Sequence, residues 1–289
     1  MRAASLIVTL FGDTVSQHGG IVWLGSLVEV LAPFGVNERL VRTSVFRQVQ
    51  DGWLESYKVG RKSYYQFTAY GLKEYQRAAH RIYDLEEHRW NGDWQLVIPR
   101  DLPENIREDF RKSLHWQGFR SLSPGVFGRP DGDSAELLAT LEEFDAGDHI
   151  VLFKAKTEAL STGKITHDLV EECWKLDDVA ANYRTFIKHY KSLHKWLKRN
   201  SPSAASAFIA RTLMIHDYRR VLLQDTQLPR ELLPSVWPGH DARQMAGEIY
   251  RALAAPSIEH ILASMDSGNG RMPPPASEFQ SRFSAANYS

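Results

Sequence analysis

Arg39, Arg42, Thr43 and Arg47 lie three, four and eight residues apart from the first of them, in a segment reading NERLVRTSVFRQVQDGWLESYKVGRKSYYQF over residues 37–67. On a helix these spacings gather side chains on neighbouring faces. Arginine presents a planar fork that can donate two parallel bonds to a phosphate or to O6 and N7 of guanine, and a threonine hydroxyl can serve either target. Asn37 stands directly ahead of this run and belongs to the same polar set. Lys58, Arg61 and Lys62 follow in a second segment, where compact charge suits phosphate more than base edges. A basic helix joined to a basic-tipped hairpin can grip duplex DNA, with the helix in the major groove and the tip on the adjacent backbone. The alternative is the solvated polar face of a surface helix.

A second group could bind a small molecule. Trp174, His216, Tyr218, Arg219, Arg220 and His240 combine aromatic surface with guanidinium forks, a combination suited to an anionic, partly apolar ligand. Within 216–220 only His216, Arg219 and Arg220 can share a helix side. The same residues could instead form a polar core network or salt bridges between domains. Neither His-Asp dipeptide (216–217, 240–241) has the i, i+3 or i, i+4 spacing of a helical metal site. Arginines beside a histidine also disfavour a cation. There is no Gly-Lys-Ser/Thr phosphate loop and no Gly-x-Ser-x-Gly elbow. Catalytic residues, metal ligands and a bound cofactor are not expected, and the chain is not read as an enzyme.

The elements that must position these groups follow from local patterns. Residues 3–18 read as a helix with Leu6, Leu10 and Phe11 on one face, ended by Gly19-Gly20. A short apolar strand at 21–23, a helix at 24–31 and a turn at 33–35 come next. Asn37 can cap a helix that ends near Asp51-Gly52. On it Val41, Ser44, Val45 and Gln48 share the inward side, Arg39, Thr43, Arg47 and Gln50 lie opposite, and Arg42 and Phe46 flank them. Gln48 stands where an aliphatic residue is expected. Two β-prone runs, 53–59 and 63–67, meet at Gly60-Arg61-Lys62. Thr68 caps a further helix carrying Leu72, Tyr75, Ala79 and Ile82. From Trp94 to Lys156 the order is β-α-β-β-α-β, a ferredoxin-like arrangement suited to spacing and dimerisation. Beyond about 166 the chain reads as helical.

The fold class is therefore α+β, with an N-terminal winged helix-turn-helix over 1–87, a ferredoxin-like middle domain over 88–165 and an all-helical domain over 166–265. Residues 266–289, rich in Gly, Pro and Ser, read as a flexible tail. The 289 residues suffice for two or three domains, and 43% hydrophobic content is that of a globular protein. No run is long enough to span a membrane, and no cleavable signal pattern is present. Cys173 is the only cysteine, which excludes an intramolecular disulfide and points to a reducing cytoplasm. Lys and Arg balance Asp and Glu at 35 each. Residues 1–83 hold ten bases and six acids, a surplus of +4 that leaves −4 for the remainder. A basic module on an acidic body fits a regulator whose body should not adhere to DNA.

Taken in order, these segments resemble the phenylacetate-degradation operon repressors, the PaaX-like transcriptional regulators. The carrying stretches are SLIVTLFGD, GGIVWLGSL, RLVRTSVFRQVQDGW, GRKSYYQFTAYGL, WNGDWQLV, LHWQGF, EECWKL and IHDYRRVLLQDTQLPRELLPSVWPGHDARQ. They cover residues from about Ser5 to Ala254. The resemblance implies a cytoplasmic homodimer that binds palindrome-like promoter DNA. It implies release by an acyl-CoA effector such as phenylacetyl-CoA. It places Arg39, Arg42, Thr43 and Arg47 in the major groove and Lys58, Arg61 and Lys62 on the backbone. His216, Tyr218, Arg219, Arg220 and His240 become the candidate effector contacts. Two alternatives stay open: a regulator of the same architecture for another catabolic operon with a different acyl-CoA or aromatic acid, and a scaffold that uses the winged helix for protein contact.

Overall fold

The computed structural model describes residues 3–83, 90–130, 134–157, 163–226 and 228–283. The fold class is α+β, and the chain divides into two compact units. One comprises Met1–Glu86, Arg184–Leu222 and Gly239–Ser289; the other comprises Glu87–Tyr183 and Leu223–Pro238. The expected boundary at 87/88 falls outside the described residues.

The first unit opens with α1 (Ala3–Asp13), β1 (Ile21–Trp23), α2 (Leu24–Leu31), α3 (Glu38–Gln50), β2 (Leu54–Val59), β3 (Lys62–Phe67) and α4 (Ala69–Tyr83). α1 stops five residues short of the expected end, and a single 3-10 turn at Val15–Gln17 follows it. The sheet order is β1-β3-β2, antiparallel throughout. Val59 pairs with Lys62, which leaves Gly60-Arg61 as a two-residue loop with Gly60 at φ +61°. A positive φ at the first loop residue alone is the II′ pattern, whose twist matches the flanking strands. Thr68 caps α4 as expected, its Oγ1 accepting from the Gly71 N–H at 2.9 Å. Leu72 is exposed instead of inward. Gly71 takes the tight position, where a Cβ would come within 2.2 Å of the Trp53 carbonyl oxygen.

The second unit holds β4 (Asp93–Pro99), α5 (Glu104–Trp116), β5 (Arg120–Ser123), β6 (Val126–Pro130), α6 (Ser134–Glu143), β7 (Ile150–Lys156) and α7 (Gly163–Trp174). Its four strands form an antiparallel sheet in the order β5-β6-β4-β7. Val97, Phe110, Leu114, Phe119, Leu137 and Leu141 form a closed core between sheet and helices. β7 lies at the sheet edge and leaves Val151, Leu152 and Phe153 exposed.

α8 (Leu176–Leu197) is divided between the units at Tyr183/Arg184. α9 (Ala204–Leu222) and nearly all of α10 (Pro238–Ser264) belong to the first unit. Residues 166–265 are thus divided between the two units. α9 explains why. Phe208, Arg211, Thr212, Met214, Ile215, His216, Tyr218 and Leu222 are all buried on it, and a helix covered on most sides must lie inside a larger core. Phe208, Ile261, Met265 and Met272 join Leu6, Leu10, Phe11, Leu27, Leu31, Val41 and Val45 in one cluster.

The tail expected to be flexible is packed as far as residue 283. β8 (Asp266–Ser267) and β9 (Gly270–Arg271) make a small hairpin, and Met272, Phe279 and Phe283 are buried after it. Arg282, also buried, donates from Nη1 to the Asp13 carboxylate (3.1 Å) and carbonyl (3.0 Å). Its Nη2 donates to the Tyr75 hydroxyl at 2.7 Å and to the Gly12 carbonyl at 3.2 Å. Asp13 also accepts from Tyr83 (2.8 Å), Tyr250 (2.9 Å) and Nε of Arg211 (3.1 Å). Two guanidinium groups and two phenols on one buried carboxylate tie α1, α4, α9, α10 and the tail together. A buried charge needs such a shell, because unpaired it would cost several kcal/mol. Residues 284–289 lie outside the described residues.

Candidate nucleic-acid interface

α3 is presented by a turn and a cap. Asn37 Oδ1 accepts the Leu40 N–H at 2.9 Å, occupying one of the free donors of the first turn. Asn37 therefore serves first as the cap, with its amide nitrogen left over. Val41, Ser44 and Val45 anchor the inner face. Gln48 is only half-buried, and Val49 packs against the core beside it, which resolves the misplaced polar residue: the inward stripe ends on Val49.

The outer face is open. Arg39, Arg42, Thr43, Arg47 and Gln50 are exposed. Arg42 pairs with Glu38 through Nε (2.8 Å) and Nη2 (2.6 Å). Thr43 donates its hydroxyl to the Arg39 carbonyl at 2.9 Å, leaving oxygen lone pairs outward. Among the described residues Arg39 and Arg47 make no ion pair or side-chain hydrogen bond. The sequence reading put Phe46 on the flank. Counted at roughly 100° per residue from the buried trio, it falls within the outer face, between Arg42 and Arg39, and it is 63% exposed. An exposed phenyl ring there could touch the methyl group of a thymine. The helical period alone could have placed it.

In the hairpin, Lys58 and Arg61 are exposed and make no ion pair among the described residues. Lys62 differs from expectation. Its ammonium lies 4.2 Å from the centre of the Trp23 ring and 3.6 Å from the Asp266 carboxylate. β1 pairs with β3 and itself contacts β8, and the side chain is drawn toward that side. Tyr57 and Tyr64 stack across the ribbon at 5.6 Å and stiffen it.

Of the proposed effector residues, His216, Tyr218, Arg219 and Arg220 lie on α9, His240 on α10 and Trp174 on α7. His216 is 2% exposed, with Nδ1 3.1 Å from Thr9 Oγ1. Thr9 donates to the Ser5 carbonyl at 3.0 Å, so its oxygen is left to accept from Nδ1–H. Burial pushes the imidazole pKa down to about 4. Tyr218 packs between Phe186 and Phe283. Arg219 is half-buried, its pKa lowered by desolvation, while Arg220 and His240 are exposed. Trp174 belongs to the second unit, where Nε1 donates to the Gly118 carbonyl at 3.2 Å and the ring meets Trp94. The core-network alternative thus describes His216, Tyr218 and Trp174. An open, largely apolar pocket of about 300 Å³ lies elsewhere in the first unit, with His189, Tyr190 and Leu193 of α8 facing Ile209, Ala210 and Leu213 of α9.

Among the described residues no cluster of His, Cys, Asp and Glu could hold a metal ion, and no helix is long and apolar enough to cross a membrane.

Comparison with known proteins gives a consistent result along the chain. The family described as PaaX-like protein matches residues 2–71, the PaaX protein central Cas2-like domain matches 87–166, and the PaaX-like protein C-terminal domain matches 174–263. The chain is 37% identical over 289 residues to Transcriptional repressor PaaX of Escherichia coli (strain K12), covering 99% of this chain and 92% of that one. Among solved structures, Uncharacterized protein Rv0674 from Mycobacterium tuberculosis superposes with a TM-score of 0.57 at 23% identity, covering 86% of this chain and 94% of that one. That likeness concerns the fold.

Proposed function

The chain belongs to the PaaX-like protein family, and from that premise we propose that it is a cytoplasmic, homodimeric, DNA-binding transcriptional repressor of a phenylacetate or related aromatic-acid catabolic operon. In this reading residues 1–83 are a winged helix-turn-helix and the four-stranded sheet with its helices is a ferredoxin-like domain. The strand order, with β4 and β6 central and both connections made by helices, supports the latter. The observation that carries the function is the outer face of α3, where Arg39 and Arg47, like Lys58 and Arg61 of the hairpin, stand exposed with no ion pair among the described residues. Arg39, Thr43, Phe46 and Arg47 read base edges; Arg42, Lys58 and Arg61 hold backbone.

A two-fold dimer would set two α3 helices on half-sites about one helical turn apart or a multiple of it. The exposed apolar edge of β7 supports dimerisation through the second unit, since such an edge is otherwise a site of uncontrolled pairing. The effector is an acyl-CoA such as phenylacetyl-CoA, its acyl end in the α8–α9 pocket. It must bind better to a conformation that holds DNA poorly, because a ligand without differential affinity shifts nothing.

The test is binding of the purified protein to DNA from upstream of its own gene, with and without phenylacetyl-CoA. Specific binding lost on adding phenylacetyl-CoA, but not free phenylacetate, is the expected result. Specific binding indifferent to phenylacetyl-CoA would retain the repressor and reject this inducer.

A further inference from the structure

The densest positive charge in the molecule lies on α8, away from α3. Residues 184–199 contain six Lys and Arg and no Asp or Glu. Arg184, Lys188, Lys191 and Lys195 follow at intervals of four, three and four, which lines them along one side of the helix. Lys198 and Arg199 continue the line into the turn that ends it. All six are exposed. Among the described residues only Lys198 approaches an acid, Glu248 at 3.9 Å, and that carboxylate is already engaged by His194 at 2.6 Å. Like charges at this spacing repel and weaken a helix by a few tenths of a kcal/mol per pair. Glu248 and the negative end of the helix offset that repulsion only near Lys195 and Lys198; an external polyanion would offset it along the whole line.

We propose that this stripe is a second contact surface for duplex DNA, lying along the sugar–phosphate backbone beyond the base pairs that α3 reads. The inference rests on the DNA-binding function proposed above and extends it to a part of the chain outside the winged helix. Residues 184–222 fall in the same compact unit as α3 and the hairpin. The stripe is mostly lysine, a point charge that suits phosphate without base discrimination. From Arg184 to Lys195 it extends roughly 16 Å at about 1.5 Å per residue, the length of about five base-pair steps at ~3.4 Å each. The apolar side of α8 is spent on Phe186, Tyr190 and the pocket, and Trp196, 44% exposed, is a single ring beside the charges where insertion into a lipid surface would need a whole apolar face. The pocket lies on the opposite side of the helix, so an acyl-CoA seated there faces away from the stripe.

The experiment measures affinity against salt concentration for the full chain on two duplexes, one from upstream of its own gene and one with the same composition shuffled. The triple variant Lys188→Gln, Lys191→Gln, Lys195→Gln is compared with a charge-matched control in the other unit and off β7, Arg100→Gln, Arg111→Gln, Lys112→Gln, all exposed. Thermal melting checks that both remain folded. Losing up to three phosphate contacts should flatten the slope of log K against log salt by about 2–3 on both duplexes, and lower affinity at moderate salt by about 10–100-fold. Preference for the upstream duplex should survive, and the control should match wild type. An unchanged slope in the triple variant, with wild-type preference intact, overturns the stripe's role and leaves the DNA-binding function standing. An equal change in the control overturns it too, because bulk charge would then be the cause. If wild type binds neither duplex in a salt-dependent way, the DNA-binding function fails and the stripe's role with it.

Discussion

The unit that carries α3 contains 23 Lys and Arg against 14 Asp and Glu, a net of +9, whereas the other contains 12 against 21, a net of −9. A chain of zero formal charge is thus two bodies of strong and opposite charge. The first turns arginines and lysines outward on α3, the hairpin and α8. The second exposes acids and an apolar strand edge. Long-range attraction to DNA scales with the charge a body presents, so the contrast agrees with the proposed placing of nucleic acid on the first unit. Counting residues 1–83 as a module found only +4, because the first unit is discontinuous and gathers nine Lys and Arg against one Asp from residues 184–222.

What joins these distant segments is the shell around Asp13, and breaking it has the largest expected effect. Asp13→Ala leaves Arg211 and Arg282 buried without their carboxylate. It should cost about 3–5 kcal/mol in urea unfolding. A loss under about 1 kcal/mol would mean that the tail and α9 are held by apolar packing alone, and that the basic body could come apart without this network.

His216 sharpens the same point through pH. Its folded-state pKa, about 4, lies below its ordinary 6.5. As pH falls, the unfolded chain takes the proton first. The stabilisation is complete above about 6.5 and is lost progressively down to about 4, on the order of 3 kcal/mol in all. The urea midpoint of wild type should therefore drop across this window more than that of His216→Asn. Parallel curves would place the histidine in water, not in the core that joins α1 to α9.

Arg47→Ala tests the DNA side of the comparison. It should cost about 1–3 kcal/mol on specific DNA and relax preference at one base pair. Equal weakening on shuffled DNA would reassign Arg47 to phosphate. On the other side, Phe153→Glu places a charge in the exposed β7 edge, where Phe153 is 50% exposed. Sedimentation should show a dimer dissociation constant raised at least about tenfold, or ~1.4 kcal/mol. An unchanged dimer would move self-association off this edge.

Much of α3 and its hairpin was legible because their signals are local. The Asn37 cap, the Gly60-Arg61 loop and the Thr68 cap each depend on residues within four positions of one another. The strand pattern of the second unit was legible for the same reason. The tail was not. Gly, Pro and Ser after Met265 look flexible by composition, yet Arg282 bonds Asp13 across 269 positions. His216 and Tyr218 looked like a ligand site because polar residues inside a helix suggest function. The helix proves to be buried on most sides, and both residues are packed within the core.

The smallest expected effect concerns two neighbouring cations in the hairpin. Arg61 and Lys62 have the same charge and nearly the same position, and the sequence treats them alike. The structure does not: Arg61 makes no ion pair among the described residues, while Lys62 lies over Trp23 and against Asp266. If Arg61 holds a phosphate, Arg61→Ala should reduce the salt slope of DNA binding by about 0.9. Lys62→Ala should change it by less than half as much, since a cation already neutralised by a carboxylate releases fewer counterions. Equal reductions would mean that Lys62 leaves Asp266 when DNA arrives. Its loss would then lower affinity on shuffled and upstream duplexes alike, and Asp266→Asn would raise both by freeing the lysine.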